Sequence, residues 1–223
     1  MRKNKMNKYK IAIFDVDGTL LDTTQGILSA LKQTVKTLNL PILSNQEFKK
    51  FIGPPIEHGF EKYYGLTVEE SEDAASVFRN IYKDRELFSA RPYNGILELL
   101  TTLREKGIKL GIATYKRESY ALPLLKHFEF HRIVEVMYGS DSEGTLSKKD
   151  IIEKCLKTLE VDDYTEVVMI GDSDNDAIGA EALGIKFIGV TYGFGFETAN
   201  QVLAYPSLGS ADTTYEILNF FKE

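Results

Sequence analysis

The 223-residue chain predicts an α/β fold: a parallel sheet covered by helices on both faces, with an all-helical segment inserted after the first strand. Three observations carry this. The apolar run Ile11-Ala12-Ile13-Phe14 has the length and composition of a buried strand. From residue 96 onward, short apolar runs alternate with amphipathic helical patterns, which is how a parallel sheet with crossover helices reads. Between these two parts, the periodicity is helical only.

The elements follow in order. Ile27, Leu31, Val35 and Leu38 share one helical face, and Pro41 ends that helix. Gly53-Pro54-Pro55 marks a second break. Ala74, Val77, Phe78 and Ile81 form another stripe, and the chain turns at Arg91-Pro92-Tyr93-Asn94-Gly95. A helix at 96–106 turns Ile96, Leu99, Leu100 and Leu103 inward, and a strand follows at 108–113. The helix near 117–128 contains Pro123, so it either kinks there or starts late. Strand 133–138, helix 148–159, strand 166–170, helix 175–183, strand 186–190 and a helix near 211–222 complete the pattern. The domain reading is a Rossmann-like core of residues 1–22 and 91–223, with a helical cap at 23–90.

Composition narrows the function. With 27 basic and 33 acidic residues the net charge is −6, which gives no general attraction for nucleic acid or membrane. Arg2, Lys3, Lys5, Lys8 and Lys10 run against that balance and read as a solvated tail. Nothing resembles a signal peptide or a membrane span, so a cytoplasmic location is expected. Cys155 is the sole cysteine; its spacing to Ile151, Ile152, Leu156 and Leu159 makes it a core residue rather than a nucleophile.

The chemistry concentrates at DVDGTLLDT, residues 15–23. Two carboxylates, Asp15 and Asp17, follow the first strand, with Gly18 for a tight turn and Thr19 for a hydroxyl. Acids this close repel unless a cation holds them, and a hard divalent ion such as Mg²⁺ suits carboxylate and phosphate oxygens together. In an open parallel sheet, sites form at the carboxyl ends of the strands. Thr114 follows strand 108–113, Lys148 opens the helix after strand 133–138, and Asp172 and Asp176 in GDSDND follow strand 166–170. Each alone is weak, since a strand-end Asp often only caps a helix. Together they are complementary: carboxylates for a metal, a hydroxyl and a lysine for phosphate oxygens.

These residues resemble the haloacid dehalogenase-like phosphatase superfamily. DVDGT at 15–19, Thr114, Lys148 and GDSDND at 171–176 look like its four motifs in order. The resemblance implies that Asp15 attacks phosphorus to form an aspartyl-phosphate, and that Asp17 acts as acid and then base. It implies Mg²⁺ on Asp15, the backbone carbonyl of Asp17, and Asp172, with Asp176 as an auxiliary partner. Thr114 would bond the phosphoryl group and Lys148 would offset its charge. Lys149 competes for that last role, with Lys148 fitting the spacing better. Gly18, Thr19, Tyr115 and Lys116 are the candidate substrate-contacting residues. The insertion after the first motif matches a type C1 helical cap. FIGPPIEHGF at 51–60, YGSDSEGT at 138–145 and GVTYGFG at 189–195 resemble a phosphoglycolate phosphatase-like or 5′-nucleotidase-like subgroup. Tyr115 and Ser173 depart from that subgroup, and the segment before Lys148 is one residue short. The implied substrate is a small phosphorylated metabolite, handled by a monomer or homodimer.

Two alternatives share parts of this set. A β-phosphoglucomutase-type phosphotransferase uses the same catalytic residues. A phospho-accepting receiver-like signalling module also joins acids, a threonine and a lysine around Mg²⁺, but is shorter and has no cap. Asp22 reads as a turn or cap residue, and Asp174 as a solvated acid. GFGF at 193–196 comes late and lacks nucleotide-loop spacing.

Overall fold

The computed structural model describes residues 8–221. Arg2, Lys3 and Lys5 of the basic stretch, and the last residue of the helix expected near 211–222, lie outside them. The chain divides into two compact units: residues up to Leu20 with those from Pro92 onward, and Leu21–Arg91.

The elements run β1 (Ile11–Phe14), β2 (Leu21–Asp22), α1 (Thr24–Thr37), α2 (Asn45–Lys49), α3 (Ile56–Tyr64), α4 (Val68–Tyr82), β3 (Arg91–Pro92), α5 (Ile96–Glu105), β4 (Lys109–Arg117) and α6 (Glu118–His127). They continue with β5 (Val136–Ser140), α7 (Lys148–Thr158), β6 (Val167–Gly171), α8 (Asp174–Leu183), β7 (Lys186–Val190), α9 (Ala199–Val202), β8 (Gly209–Ala211) and α10 (Thr214–Ile217).

The larger unit holds a six-stranded sheet in the order β5-β4-β1-β6-β7-β8, parallel throughout. Its central strands are apolar on both faces: β1 and β6 are buried at every residue. That is the composition a sheet needs when helices cover both sides. Phe14 at the end of β1 pairs with Ile112 of β4 and Ile170 of β6, so the three strands run toward one edge, where β1 and β6 end and β4 continues. The chain passes from β1 to β4 and β5 on one side, and to β6, β7 and β8 on the other. This reversal of strand order opens a crevice at the carboxyl end of β1.

Four sequence expectations change. The strand expected at 108–113 continues to Arg117, so Thr114 lies inside β4 rather than after it. Pairing with β5 loses register there: Ala113 faces Tyr138 and Arg117 faces Ser140, four steps on β4 against two on β5. Thr114, Tyr115 and Lys116 occupy the resulting bulge. Gly139 makes it possible, because a Cβ there would lie 2.5 Å from the Lys116 carbonyl oxygen and 2.6 Å from Glu118 Cα. Second, the strand expected at 133–138 begins at Val136, because the amides of Ile133 and Val134 close a turn on Phe130 O (2.9 and 3.1 Å). Third, residues 209–211 form an unforeseen strand, and the final helix starts only at Thr214. Gly-Ser-Ala has no strand pattern of its own; the free edge of β7 recruits it. Fourth, α6 runs through Pro123, which is exposed, as is Ser119, whose carbonyl loses its partner to solvent. Cys155 is buried, its thiol donating to Ile112 O at 3.2 Å, and burial pushes it up to about 12.

The Leu21–Arg91 unit is helical through α1–α4, with no strand between residues 23 and 90; β2 and β3, at its two ends, pair as a two-stranded sheet. Asp22 joins its ends, accepting from Thr24 N at 3.1 Å and pairing with Arg91 at 2.9 Å. Ser44/Glu47 and Thr67/Glu70 form capping boxes, and Gly65, at φ 67°, ends α3. The α2–α3 core is aromatic, with Phe51 5.5 Å from Phe60 and 5.3 Å from Tyr63 between ring centroids.

Gly139→Ala should destabilise the protein by about 1–3 kcal/mol, because backbone atoms must move to admit the methyl group. A lower urea midpoint at unchanged slope is the expected reading; an unchanged midpoint would show that the bulge tolerates a side chain.

Candidate active site

Asp15 extends β1 by one residue, its amide bonded to Ile170 O at 3.0 Å. Asp172 extends β6, and Asp176 stands one turn into α8. The three carboxylates are buried, and each offers an oxygen within 4.8 Å of the others. Lys148, at the first position of α7, reaches into them. Its Nζ lies 2.5 Å from Asp15 Oδ1 and 2.6 Å from Asp176 Oδ1, and it is only 3% exposed. Lys149 is exposed, so the structure brings Lys148 and not its neighbour to the acids.

Asp176 has two jobs. Its Oδ2 accepts from Ser173 N (3.1 Å) and Ser173 Oγ (2.8 Å), closing the capping box of α8, while Oδ1 meets Lys148. Gly171 leaves room for it; a Cβ there would lie 2.3 Å from Asp176 Cγ.

Asp17 is not in this cluster. Its carboxylate turns to Lys116, whose Nζ sits 3.0 and 3.1 Å from the two oxygens. The bulge in β4 delivers Lys116 there, with its amide donating to Thr114 Oγ1 at 3.2 Å. Lys116, expected from the sequence to contact substrate, is thus the buried partner of a sequence-predicted acid. Tyr115 faces the lysine instead: its hydroxyl accepts from Lys148 N at 2.9 Å, filling an otherwise orphaned helix-start donor. Gly18 adopts φ +83°, and a Cβ on it would lie 2.1 Å from Asp172 Oδ2. Thr19 Oγ1 is buried with no hydrogen-bond partner among the described residues. Asp174 is exposed.

Sequence reasoning set the GFGF segment aside, and the structure gives it a role. The amides of Phe194 (2.6 Å) and Gly195 (3.1 Å) donate to Asp172 Oδ2, and that of Phe196 to Asp172 O (2.7 Å). The signal available in the sequence was two glycines directly after a strand, a backbone free to approach another group closely.

Electrostatically the cluster is unbalanced: three buried carboxylates face one lysine. Burial pushes Asp15 up to about 7 against the pull of Lys148, with Asp176 and Asp17 adding to the rise. Asp172 is held well above the carboxylate range by burial and by its two acidic neighbours, against the opposing amides of Phe194 and Gly195. For Lys148, burial favours the neutral form, but Asp15 and Asp176 outweigh it and keep the ammonium charged above its usual range. All-oxygen donors with excess negative charge suit a hard divalent cation. Lys148 takes only Oδ1 of Asp15 and the loop amides only Oδ2 of Asp172, which leaves the other oxygen of each for such a cation.

The sequence pattern of the haloacid dehalogenase-like hydrolases matches residues 12–190. The chain belongs to this family. A 5′-nucleotidase of Pseudomonas aeruginosa is 33% identical over 85% of this chain and 86% of its own length. A phosphoglycolate phosphatase of Agrobacterium fabrum is 30% identical over 82% of this chain and 81% of its own. A protein of Mycobacterium tuberculosis named tyrosine-protein kinase PtkA is 33% identical over 83% of this chain, which spans 63% of it. Among solved structures, a haloacid dehalogenase-like hydrolase of Streptococcus pneumoniae superposes with a TM-score of 0.88 at 31% identity, covering 96% of this chain and 99% of that one. Family membership and these relatives support phosphatase activity on phosphoric monoesters. Among the described residues no helix is long and apolar enough to cross a membrane.

The raised acids set a pH dependence. Folded, Asp15 and Asp172 bind protons more tightly than they do unfolded. For Asp15 the folded chain holds the extra proton between 3.8 and about 7, so its contribution to stability is full below 3.8 and is lost as pH rises through 7. Lowered carboxylates such as Asp22 act below that window. Chelator-treated protein should therefore melt at a lower temperature at pH 8 than at pH 5.5, and a divalent cation should recover more of the loss at pH 8. Calorimetry showing the reverse order would contradict the charge imbalance.

Proposed function

We propose that the protein is a Mg²⁺-dependent phosphatase of small phosphorylated metabolites that works through an aspartyl-phosphate on Asp15. The observation that carries this is the separation of acids at one sheet edge. Asp15, Asp172 and Asp176 cluster together, with Lys148 on Asp15 and Asp176, while Asp17 is held apart on Lys116.

In this reading an oxygen of Asp15 attacks phosphorus as the ester P–O bond breaks, and Asp17 gives a proton to the departing oxygen. Water then attacks the acyl phosphate, giving a proton to Asp17, and phosphate leaves with Asp15 restored. Lys148 steadies the charge shared by Asp15 and the phosphoryl oxygens, and Thr114 donates to those oxygens. Lys116 orients Asp17 and offers a cation to an anionic substrate. The set Asp15, the Asp17 carbonyl and Asp172, backed by Asp176, would hold Mg²⁺, which supplies charge neutralisation when bound. Residues 23–90 act as the cap that selects the substrate. The names of the relatives favour phosphoglycolate-like or nucleoside monophosphate substrates. The kinase-named relative favours a second reading, transfer of the phosphoryl group to an acceptor other than water.

The test is phosphate release across phosphoglycolate, nucleoside monophosphates, sugar phosphates and pyrophosphate, with labelled phosphoryl groups followed to product. Free phosphate supports hydrolysis; label retained in an organic acceptor supports transfer. Asp15→Asn should lower turnover by about a thousandfold or more, since an amide is a poor nucleophile and a poor ligand. Full turnover in that variant refutes the mechanism. Asp17→Asn should slow both formation and breakdown of the intermediate, seen in rapid-quench kinetics; a normal rate removes its acid–base role. EDTA should silence the enzyme and Mg²⁺ restore it.

A further inference from the structure

The loop after β7 grips Asp172 more completely than a packing role requires. Three consecutive amides, those of Phe194, Gly195 and Phe196, donate to this one residue at 2.6, 3.1 and 2.7 Å. Two of them converge on Oδ2, and the third takes the backbone carbonyl. Phe196 is buried, and its ring lies 6.2 Å from that of Phe187 and 5.8 Å from that of Tyr205, so the loop is anchored in the core. The glycines are needed for space rather than for dihedral freedom, since neither Gly193 nor Gly195 has a left-handed φ. A Cβ on Gly193 would lie 2.4 Å from Gly18 O and 2.5 Å from Asp172 Oδ2; one on Gly195 would lie 2.5 Å from Asp172 O.

The consequence concerns how many oxygens each acid can give. Asp172 has Oδ2 occupied by amides. Asp15 has Oδ1 on Lys148. Asp176 has Oδ2 on Ser173 and Oδ1 against Lys148. Oδ2 of Asp172 and Oδ2 of Asp176 each already accept two hydrogen bonds, so neither acid can present both oxygens to a cation without breaking one. Ca²⁺ takes six to eight oxygens and often accepts a carboxylate through both, whereas Mg²⁺ takes six at shorter range and one from each carboxylate.

We propose that residues 193–196 are a positioning clamp that fixes Asp172 as a one-oxygen ligand and so makes the site select Mg²⁺ over Ca²⁺. This rests on the Mg²⁺ reading above and adds the part of the chain that enforces the preference. The loop acts through Asp172 and touches no reacting atom.

The experiment is competition against bound Mn²⁺, read by electron paramagnetic resonance of free Mn²⁺ on the full chain at fixed pH, so that no turnover is involved. In the wild type, Mg²⁺ should displace Mn²⁺ at about one-tenth of the Ca²⁺ concentration needed. Gly193→Ala should weaken Mg²⁺ by about tenfold, as loss of support behind a metal ligand commonly does. Ca²⁺ should weaken less, so the ratio of the two narrows. A merely structural loop would change stability and leave that ratio alone. Ca²⁺ matching or surpassing Mg²⁺ in the wild type, or a folded Gly193→Ala protein with the wild-type ratio, overturns the clamp and leaves the phosphatase reading standing. Absence of any Mn²⁺ binding overturns both. Should Gly193→Ala fail to fold, the wild-type ratio and Gly195→Ala, which presses on the Asp172 backbone instead, decide the matter on the same criteria.

Discussion

Burying like charges together is the constraint around which this molecule is arranged. Three carboxylates lie at the carboxyl ends of β1 and β6 and in the first turn of α8, with Lys148 paired to two of them. Removing a single ion from water costs several kcal/mol even after relaxation, so such a cluster persists only with its remaining lone pairs satisfied. The satisfaction comes from every side: Lys148 on Asp15 and Asp176, Ser173 on Asp176, and main-chain amides on Asp172. What is left is surplus negative charge in a buried place. A dication would neutralise it, and a phosphate ester approaching that dication would find a carboxylate already aligned.

Glycine is the means by which backbone and side chains come this close. Gly18 makes the turn after β1 and leaves Asp172 its space; Gly171 does the same for Asp176, and Gly139 for the bulge of β4. These are different elements solving one steric problem, which is to bring polar groups from distant sequence to a single sheet edge. The bulge has a second effect. It takes Thr114, Tyr115 and Lys116 out of the pleat, so that consecutive residues serve three ends: a hydroxyl on the Lys116 amide, a tyrosine on the start of α7, and a lysine on Asp17.

The two lysines divide the acids between them. Lys148 holds the group proposed to attack phosphorus, and Lys116 the group proposed to move protons. A nucleophile must stay ionised and in reach, while a proton carrier must change state during turnover. Giving each its own cation keeps those requirements separate, although Asp15 and Asp17 are only two residues apart. Tyr115 ties the arrangement together, since it extends from the strand that carries Lys116 to the amide of Lys148.

The sequence alone determined whatever depends on local pattern and on motif chemistry. Apolar runs marked β1, β6 and β7, helical stripes marked α1, α4, α5 and α7, and the acids at 15, 17, 172 and 176 stood out by their placement after strands. Lys148 was preferred to Lys149 because it fits the motif spacing of the family the chain resembles. What the sequence left undecided was decided by neighbours. Residues 209–211 are a strand only because β7 offers an open edge. Thr114 stands in a bulge only because Gly139 opposite lacks a side chain. The pairing of Lys116 with Asp17, 99 residues away, and the grip of the Gly193–Phe196 backbone on Asp172 leave no periodic trace. Periodicity reports which face of an element is apolar. It does not report which distant amide or ammonium will meet a given carboxylate, because that depends on strand order and register, which arise only when the whole sheet assembles.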